Sequence, residues 1–388
     1  MDTHDHYSSV KKTILLFTDW YEPGYKAGGP IRSCVNFVQQ MKEDYSIFIF
    51  TTDRDLDATT PYPGVVVDQW TTQEKNVQIF YASPGFLSWK NIRQQLKIVH
   101  PDFIYLNSMF SRFFTIYPLL QAGKGQLPGK IILAPRGMLK QSALQFKQQK
   151  KTIYLSLFKW LGLHKGIRFH VTDSTESADV RRQFGESAST HLVSNFPGSV
   201  TDYPGSLSKK PGMVSIIFVG RIHPIKNLDY LLEILPQLTG NISLTVVGNE
   251  EDQAFAQHCK NLADKFPATI TVDFAGEIPN HQLGALIAQH HIFALPTRGE
   301  NFGHAIFEAL RAGRPVLISD QTPWRNLPKR KAGWDLPLDN KNAFTAALQQ
   351  AIDLDQATYN EWSIGAWQYV KDQVQQSDLK TAYYKLFS

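Results

Sequence analysis

The 388-residue sequence predicts two doubly wound α/β domains that face each other across a cleft. Short β-rich runs alternate with amphipathic helical stretches along nearly the whole chain, which is the pattern of parallel sheets built from strand–helix–strand units. A chain of this length also exceeds what one ordinary hydrophobic core supports, so two domains of about 150 to 200 residues are expected. The alternation breaks once, at residues 197–212, where three prolines and three glycines indicate a linker.

Before the break, β-rich runs predict the strands of an N-terminal domain that spans residues 1–196. Helical runs at 31–42 and 91–100 lie between strands, and a further β-rich run at 190–196 closes the set. The other predicted strands are TILLFTDW (13–20), YSIFIFTT (45–52), VQIFYAS (77–83), FIYLNS (103–108), KIILAPRG (130–137) and IRFHVTD (167–173).

After the break, strand and helix signals alternate again in a C-terminal domain, residues 213–374. Three further helical runs end the chain, and we expect the last, at about 375–388, to pack on the N-terminal domain. The predicted strands are 213–220, 242–248, 269–276, 291–296 and 315–320, with helices at about 228–238, 251–266, 281–290 and 303–313.

The composition excludes several classes of protein. A hydrophobic fraction of 43% and a charged fraction of 19% are those of a globular protein. The first residues lack the apolar run of a signal peptide, and no stretch reaches about 18 apolar residues, so we expect a cytoplasmic protein without membrane-spanning helices. The two cysteines, Cys34 and Cys259, favour buried thiols over a disulfide or a cysteine zinc site.

The net charge of +5 is unevenly distributed, because the positive excess lies before residue 197. This asymmetry predicts an anionic partner there, either a membrane surface or a phosphorylated substrate, and we expect no nucleic-acid partner. Residues 140–166 contain six lysines and no acid, together with aromatic and leucine side chains, which is typical of a peripheral element on the inner face of the plasma membrane. The alternative is an amphipathic helix that packs on its own sheet. The lysines are Lys140, Lys147, Lys150, Lys151, Lys159 and Lys165.

Two glutamates flank the start of a predicted helix in the stretch RGENFGHAIFEALRAGRPVL (298–317). Glu300 lies in a loop after a strand, where ligands of parallel sheets bind, and can accept hydrogen bonds from sugar hydroxyls. Glu308 lies six residues, roughly 9 Å along the helix axis, from the helix start near Phe302, and its carboxylate suits a ribose diol. The alternative is that both are ordinary charges on a surface helix. The backbone N–H groups predicted to face the cleft at the positive end of this helix belong to Phe302, Gly303 and His304.

A second predicted loop, after the strand at 213–220, carries two cations. Arg221 follows the strand directly, and Lys226 begins the next helix five residues later. Fixed cations at a helix N-terminus can bind a diphosphate and stabilise it as a leaving group. The alternative is a solvated basic turn.

Together these segments resemble the retaining glycosyltransferases of family 4, which have the GT-B fold and act in bacterial polysaccharide and glycan biosynthesis. The resemblance covers most of the chain and is strong from about 213 to 338. Its motifs are Gly-Arg with a lysine five residues on (220–226), VVGNE (246–250), ENFGHAIFE (300–308) and AGRPV (312–316).

The resemblance implies hexose transfer from a nucleotide-diphosphate sugar, with a UDP-sugar favoured, to a glycan or lipid-linked acceptor, with no metal and no cofactor. By it Arg221 and Lys226 hold the diphosphate, Glu308 holds the ribose, and Glu300 holds the transferred sugar. A GDP-sugar-dependent mannosyl- or fucosyl-type transferase and a non-catalytic nucleotide-sugar-binding protein remain alternatives. The catalytic residues implied are Glu300, Arg221 and Lys226, and the donor-binding residues are Gly28, Gly29, Gly220, Arg221, Lys226, Glu300, Asn301, Phe302, Gly303, His304 and Glu308.

The N-terminal half matches the family less closely. Gly28 and Gly29 resemble the family's first glycine loop, where backbone amides meet the donor phosphate and the acceptor. Many members carry a histidine after the strand that here is followed by Arg136, so the role of that histidine does not transfer to this chain. Arg136 and Asp19 are the predicted contacts to the acceptor or sugar, and His170 is expected in the core.

Overall fold

The computed structural model describes residues 11–122, 129–145, 148–376 and 378–388. The chain forms two compact units. Unit 1 comprises the residues up to Phe196 together with Leu379–Ser388, and unit 2 comprises Pro197–Asp378.

Unit 1 contains an eight-stranded sheet of order β3-β4-β2-β1-β5-β6-β7-β8. All neighbouring strands pair in parallel except β3, an antiparallel edge strand that the sequence pattern did not predict. The strands are β1 (Thr13–Phe17), β2 (Ser46–Thr52), β3 (Trp70–Glu74), β4 (Val77–Ala82), β5 (Phe103–Leu106), β6 (Lys130–Leu133), β7 (Ile167–Val171) and β8 (Thr190–Leu192).

Strand β1 shows why this sheet is buried on both faces. Ile14 and Leu16 pack into one hydrophobic cluster, whereas Leu15 and Phe17 pack into another. Alternate side chains of a strand point to opposite faces, so a continuous apolar run is typical of a parallel strand covered on both sides. Each fully buried side chain of this size contributes roughly 1.5–3 kcal/mol to folding.

Helices cover both faces of the unit 1 sheet. The last of them comes from the end of the chain: Tyr383 stacks on Phe196 with ring centroids 4.2 Å apart, and Phe387 lies 5.5 Å from Phe37. The helices are α1 (Gly29–Met41), α2 (Trp89–Val99), α3 (Tyr117–Gln121), α4 (Gln141–Gln145), α5 (Gln148–Trp160), α6 (Ser174–Phe184) and the C-terminal Leu379–Leu386, and a π-helical turn spans Arg112–Ile116.

Unit 2 contains a six-stranded, all-parallel sheet of order β11-β10-β9-β12-β13-β14 over one hydrophobic core. Its strands are β9 (Met213–Val219), β10 (Asn241–Val247), β11 (Ile270–Gly276), β12 (Ile292–Leu295), β13 (Val316–Ser319) and β14 (Gly333–Leu336). Its helices are α7 (Leu228–Ile234), α8 (Gln253–Ala263), α9 (Asn280–Ile287), α10 (His304–Arg311), α11 (Lys341–Asp353) and α12 (Gln356–Gln376). The C-terminal helix of unit 1, Leu379–Leu386, is therefore α13.

The segment 197–212 differs from the predicted linker. It has no regular secondary structure, yet it packs within unit 2, where the Tyr203 hydroxyl donates to Ser363 Oγ at 2.8 Å. Lys209 is buried, and its ammonium donates to the carbonyl oxygens of Ile352 and Leu354 at the end of α11. A cation suits the negative end of a helix, so this segment caps α11.

One predicted domain boundary also differs. Helix α12 continues to Gln376, so the predicted domain boundary at 374 falls inside a helix. Within the stretch 140–166, the described residues include the helical segments α4 and α5. Lys147 lies outside the described residues.

Candidate functional site

Strand order brings two loops of unit 2 together. Strand β9 lies between β10 and β12, so the loops that leave the carboxyl ends of β9 and β12 are neighbours at a switch point of the sheet, the usual ligand position in such sheets. The carbonyl oxygen of Ile225 accepts hydrogen bonds from Thr297 Oγ1 at 3.1 Å and from Arg298 N at 2.8 Å. The loop 220–227 is therefore tied to the loop 296–303.

An ion pair joins these loops. Lys226 Nζ contacts Glu300 Oε1, and the two side chains are only 15% and 14% exposed. Lys226 packs beside Gly220, where a Cβ would lie 3.5 Å from Lys226 Cγ, an ordinary van der Waals contact. The Glu300 backbone is held by its N–H, which donates to Gln321 O at 3.0 Å. The sequence predicted both residues as site residues but not that they pair.

Arg221 points to a different partner. Its guanidinium pairs with Glu251 Oε2 at 2.5 Å, and the arginine side chain is 42% exposed. The sequence analysis did not predict Glu251 as a neighbour of the site. Its position in the loop that follows β10 was a signal that could have indicated it. His223 lies between the two cations in sequence, and burial lowers its pKa; its Nδ1 accepts a hydrogen bond from Ile225 N at 3.2 Å.

The start of α10 depends on Gly303. Its φ of 79° is in the left-handed region, and a Cβ would lie 2.8 Å from Ile306 Cδ1, so glycine fits where other residues would be strained. The preceding residue is anchored because Trp324 Nε1 donates to Phe302 O at 2.6 Å. The His304 ring lies 4.6 Å from the Phe302 ring. Asn301 precedes this turn in the β12 loop.

Glu308 lies on α10, where it pairs with Arg311 at 2.6 Å. Arg311 also donates to Ser199 O at 3.1 Å, so the pair is tied to the segment that follows unit 1 in sequence. Gly198 and Gly284 lie on either side of the carboxylate: a Cβ on either glycine would be 3.9 Å from a Glu308 oxygen. The carboxylate therefore has small residues around it, and Arg311 is a neighbour that the sequence reading missed.

In unit 1, Arg136 points into a polar network. Its guanidinium donates to Asn195 Oδ1, to Asn107 Oδ1 and, at 2.9 Å, to the Tyr105 hydroxyl. Arg136 has a φ of 54°, an uncommon backbone conformation for a residue other than glycine. All three guanidinium nitrogens thus have partners within unit 1, which makes Arg136 a structural centre of the loops after β5, β6 and β8.

His170 is buried in the same network. Its Nε2 lies 2.8 Å from Val193 O, so this nitrogen donates, and Nδ1 accepts from the Tyr105 hydroxyl at 2.7 Å. Burial lowers the pKa of His170 to about 3. The histidine is therefore neutral at pH 7 and belongs to the core, as the sequence predicted.

Asp19 and the glycine pair lie in the loop after β1. Burial raises the pKa of Asp19, although the Ser111 hydroxyl donates to its Oδ1 at 2.7 Å. Gly28 has a φ of 64° and precedes α1, which begins at Gly29. A Cβ on Gly28 would meet no heavy atom within 4 Å, so space beside this glycine is open.

Comparison with known proteins finds similarity mainly in unit 2. Residues 201–366 match the model of the glycosyl transferases group 1. Phosphatidyl-myo-inositol mannosyltransferase of Mycolicibacterium smegmatis is 26% identical over 148 residues, which cover 37% of this chain and 37% of that protein. The chain thus matches only about a third of the length of such curated relatives.

Solved structures match over nearly the whole chain. Sucrose-phosphate synthase from Thermosynechococcus elongatus superposes with a TM-score of 0.69 at 16% identity, covering 97% of this chain and 99% of that one. HepE from Anabaena, solved in complex with UDP and glucose, has a TM-score of 0.65 at 14% identity, with 97% and 98% covered. At these identities the likeness shows the fold, which is GT-B. The chain thus has the fold predicted from its sequence, and most of its C-terminal unit matches the family model of the group 1 glycosyl transferases.

Proposed function

We propose that the protein transfers a hexose from a nucleotide-diphosphate sugar to a glycan or lipid-linked acceptor, with retention of anomeric configuration and without a metal ion. The observation that carries this proposal is the partly buried Lys226–Glu300 pair at the switch point of the unit 2 sheet. A cation and a carboxylate side by side there suit the two halves of such a donor, the diphosphate and the sugar.

In the proposed reaction, the bond between the sugar C1 and the diphosphate oxygen breaks while an acceptor hydroxyl forms a bond to C1 from the same face. The acceptor proton passes to the departing phosphate oxygen. Lys226 and Arg221 offset the charge that develops on the diphosphate, which is the electrostatic term expected to dominate such catalysis. Glu300 orients the sugar hydroxyls and stabilises the positive charge at C1.

The donor we favour is a UDP-sugar. Support comes from the HepE structure in complex with UDP-glucose, which has a TM-score of 0.65 with this chain. The similarity to phosphatidyl-myo-inositol mannosyltransferases favours the second candidate, a mannosyl-type transferase that uses a GDP-sugar. A non-catalytic nucleotide-sugar-binding protein would keep the binding residues and lack turnover.

Thermal-shift screening with UDP-, GDP-, ADP- and dTDP-sugars, followed by an assay for release of the nucleotide diphosphate, tests the proposal. We expect one UDP-sugar to raise the melting temperature and to be consumed, and EDTA to have little effect on the rate. The anomeric configuration of the glycosidic bond in the product should be the same as that in the donor. Binding without release would favour the non-catalytic alternative. Loss of activity in EDTA with recovery in Mn²⁺ or Mg²⁺ would show that the metal-free mechanism is wrong.

Replacing each glutamate with glutamine tests the proposed contacts to the ribose and to the transferred sugar separately. Glu308→Gln is expected to raise the donor Kd about 10- to 150-fold, because a charge-assisted hydrogen bond contributes roughly 1.5–3 kcal/mol. Glu300→Gln is expected to lower kcat with a smaller effect on Kd, because its contact strengthens as charge develops at C1. Isothermal titration and steady-state kinetics provide the two readouts.

Glu361→Gln is the matched control for these variants. Glu361 pairs with Lys331 on the surface of unit 2, and both side chains are more than half exposed. Its kinetics should equal those of the wild type. Wild-type kinetics in both Glu300→Gln and Glu308→Gln would refute the assignment of the donor site.

A further inference from the structure

Helix α5 of unit 1 has two apolar faces. Leu155 and Phe158 are buried in the unit 1 core. Ile153, Leu157 and Trp160, by contrast, are 70%, 51% and 80% exposed. Positions four and seven residues apart fall within about 60° of one another around a helix of 3.6 residues per turn, so the three exposed side chains form one stripe opposite the buried face.

This stripe is a concentration of exposed apolar surface. Among the described residues, four of the large apolar side chains that the structure leaves exposed lie within 153–161, and the fourth, Leu161, is 46% exposed. Single exposed apolar side chains are ordinary, whereas a contiguous apolar patch marks an interaction site. We call Ile153, Leu157, Trp160 and Leu161 the α5 stripe.

Cations flank the α5 stripe. Lys150, Lys159 and Lys165 are exposed, and the stretch 140–166 contains no acidic residue. The ammonium of Lys151 lies 5.4 Å from the centre of the Phe110 ring. An apolar stripe between cations, with partly buried aromatic rings beside it, is the composition of a helix that lies in a membrane interface.

We propose that the α5 stripe rests on an anionic phospholipid surface, with Ile153, Leu157 and Trp160 at the boundary of headgroups and acyl chains and the exposed lysines on lipid phosphates. Charge complementarity selects this occupant. A second copy of the chain would bring lysines against lysines, which is unfavourable. No described helix is long and apolar enough to cross a bilayer, so the contact is an interfacial one.

This inference does not depend on the proposed glycosyl transfer, because it concerns unit 1 residues outside the donor site. Co-sedimentation with vesicles of phosphatidylcholine and phosphatidylglycerol, without any sugar nucleotide, therefore tests it separately. The wild type should bind these vesicles, bind phosphatidylcholine vesicles at least tenfold more weakly, and dissociate at high salt.

Two variants test the two components of the surface. Ile153→Gln with Leu157→Gln and Trp160→Gln replaces the three most exposed side chains of the α5 stripe. Lys150→Gln with Lys159→Gln and Lys165→Gln removes the exposed flanking charges. Each should weaken binding to anionic vesicles at least tenfold, since one lysine near such a surface accounts for about a fivefold change. All six side chains are exposed, so circular dichroism should show unchanged folding.

Matched controls use the same unit. Lys75→Gln with Lys90→Gln and Lys97→Gln removes the same charge from other exposed positions, and Ile98→Gln removes an apolar side chain that is 58% exposed. Both should bind vesicles as the wild type does. Wild-type binding by the stripe variant would overturn the proposal, as would equal loss in the lysine control. Analytical ultracentrifugation tests for a dimer. If the wild type forms a concentration-dependent dimer and the stripe variant does not, the α5 stripe is a self-association surface and the membrane proposal is overturned.

Discussion

Replacing Lys226 with alanine is expected to lower kcat/KM at least about 10²-fold. The lysine ammonium is the cation of the Lys226–Glu300 pair, and its loss would remove charge stabilisation from the departing diphosphate. Arg221→Ala should have an effect of the same order for the same reason. Because Arg221 pairs with Glu251 in this structure, donor binding would have to draw the guanidinium from that partner.

Steady-state kinetics with the donor found by screening measures this effect, and a double-mutant cycle with Glu300→Gln measures the coupling of the pair. Lys260→Ala is the matched control, because Lys260 forms an ion pair with Glu250 at 2.5 Å in the same unit. The Lys260–Glu250 pair is about twice as exposed as the Lys226–Glu300 pair, so Lys260→Ala should have the kinetics of the wild type. Activity within threefold of the wild type in Lys226→Ala would rule out a role for this lysine in leaving-group stabilisation.

Gly248→Ala is expected to destabilise unit 2 by about 3 kcal/mol or more. Gly248 has a φ of 148°, and a Cβ there would lie 2.0 Å from the carbonyl oxygen of Gly220. Gly220 begins the loop that carries Lys226, so the clash should displace the candidate site as well as weaken the fold. For a unit of this size the melting temperature should fall by roughly 6–12 °C.

Gly276→Ala is the control that distinguishes the steric clash at Gly248 from the free-energy cost of a positive φ at a residue other than glycine. Gly276 also has a positive φ, 70°, but a Cβ there would meet no heavy atom within 4 Å. Its substitution should therefore cost about 1 kcal/mol and leave activity largely intact. Differential scanning fluorimetry of both variants, with kinetics at a temperature where both are folded, makes the comparison. Equal melting temperatures would show that the β9 and β10 loops are not as close as described.

Sequence pattern was sufficient for the fold class. Buried parallel strands need apolar runs on both faces, and the helices between them need one apolar face, so both signals are local and can be read along the chain. The edge strand β3 was missed because Trp70–Glu74 is only partly buried and lacks such a run. The segment 197–212 was mistaken for a linker because its packing on α11 and α12 uses hydrogen bonds that leave no periodic pattern.

The sequence by itself determined which residues follow strands in unit 2, and therefore that Arg221, Lys226 and Glu300 stand where parallel sheets bind ligands. It did not determine that Lys226 pairs with Glu300. That contact exists because β9 lies beside β12, and strands distant in sequence become neighbours only when the sheet is assembled. Which side of α5 is exposed was likewise decided by tertiary packing, because both sides are apolar and only the side that meets the sheet is removed from water.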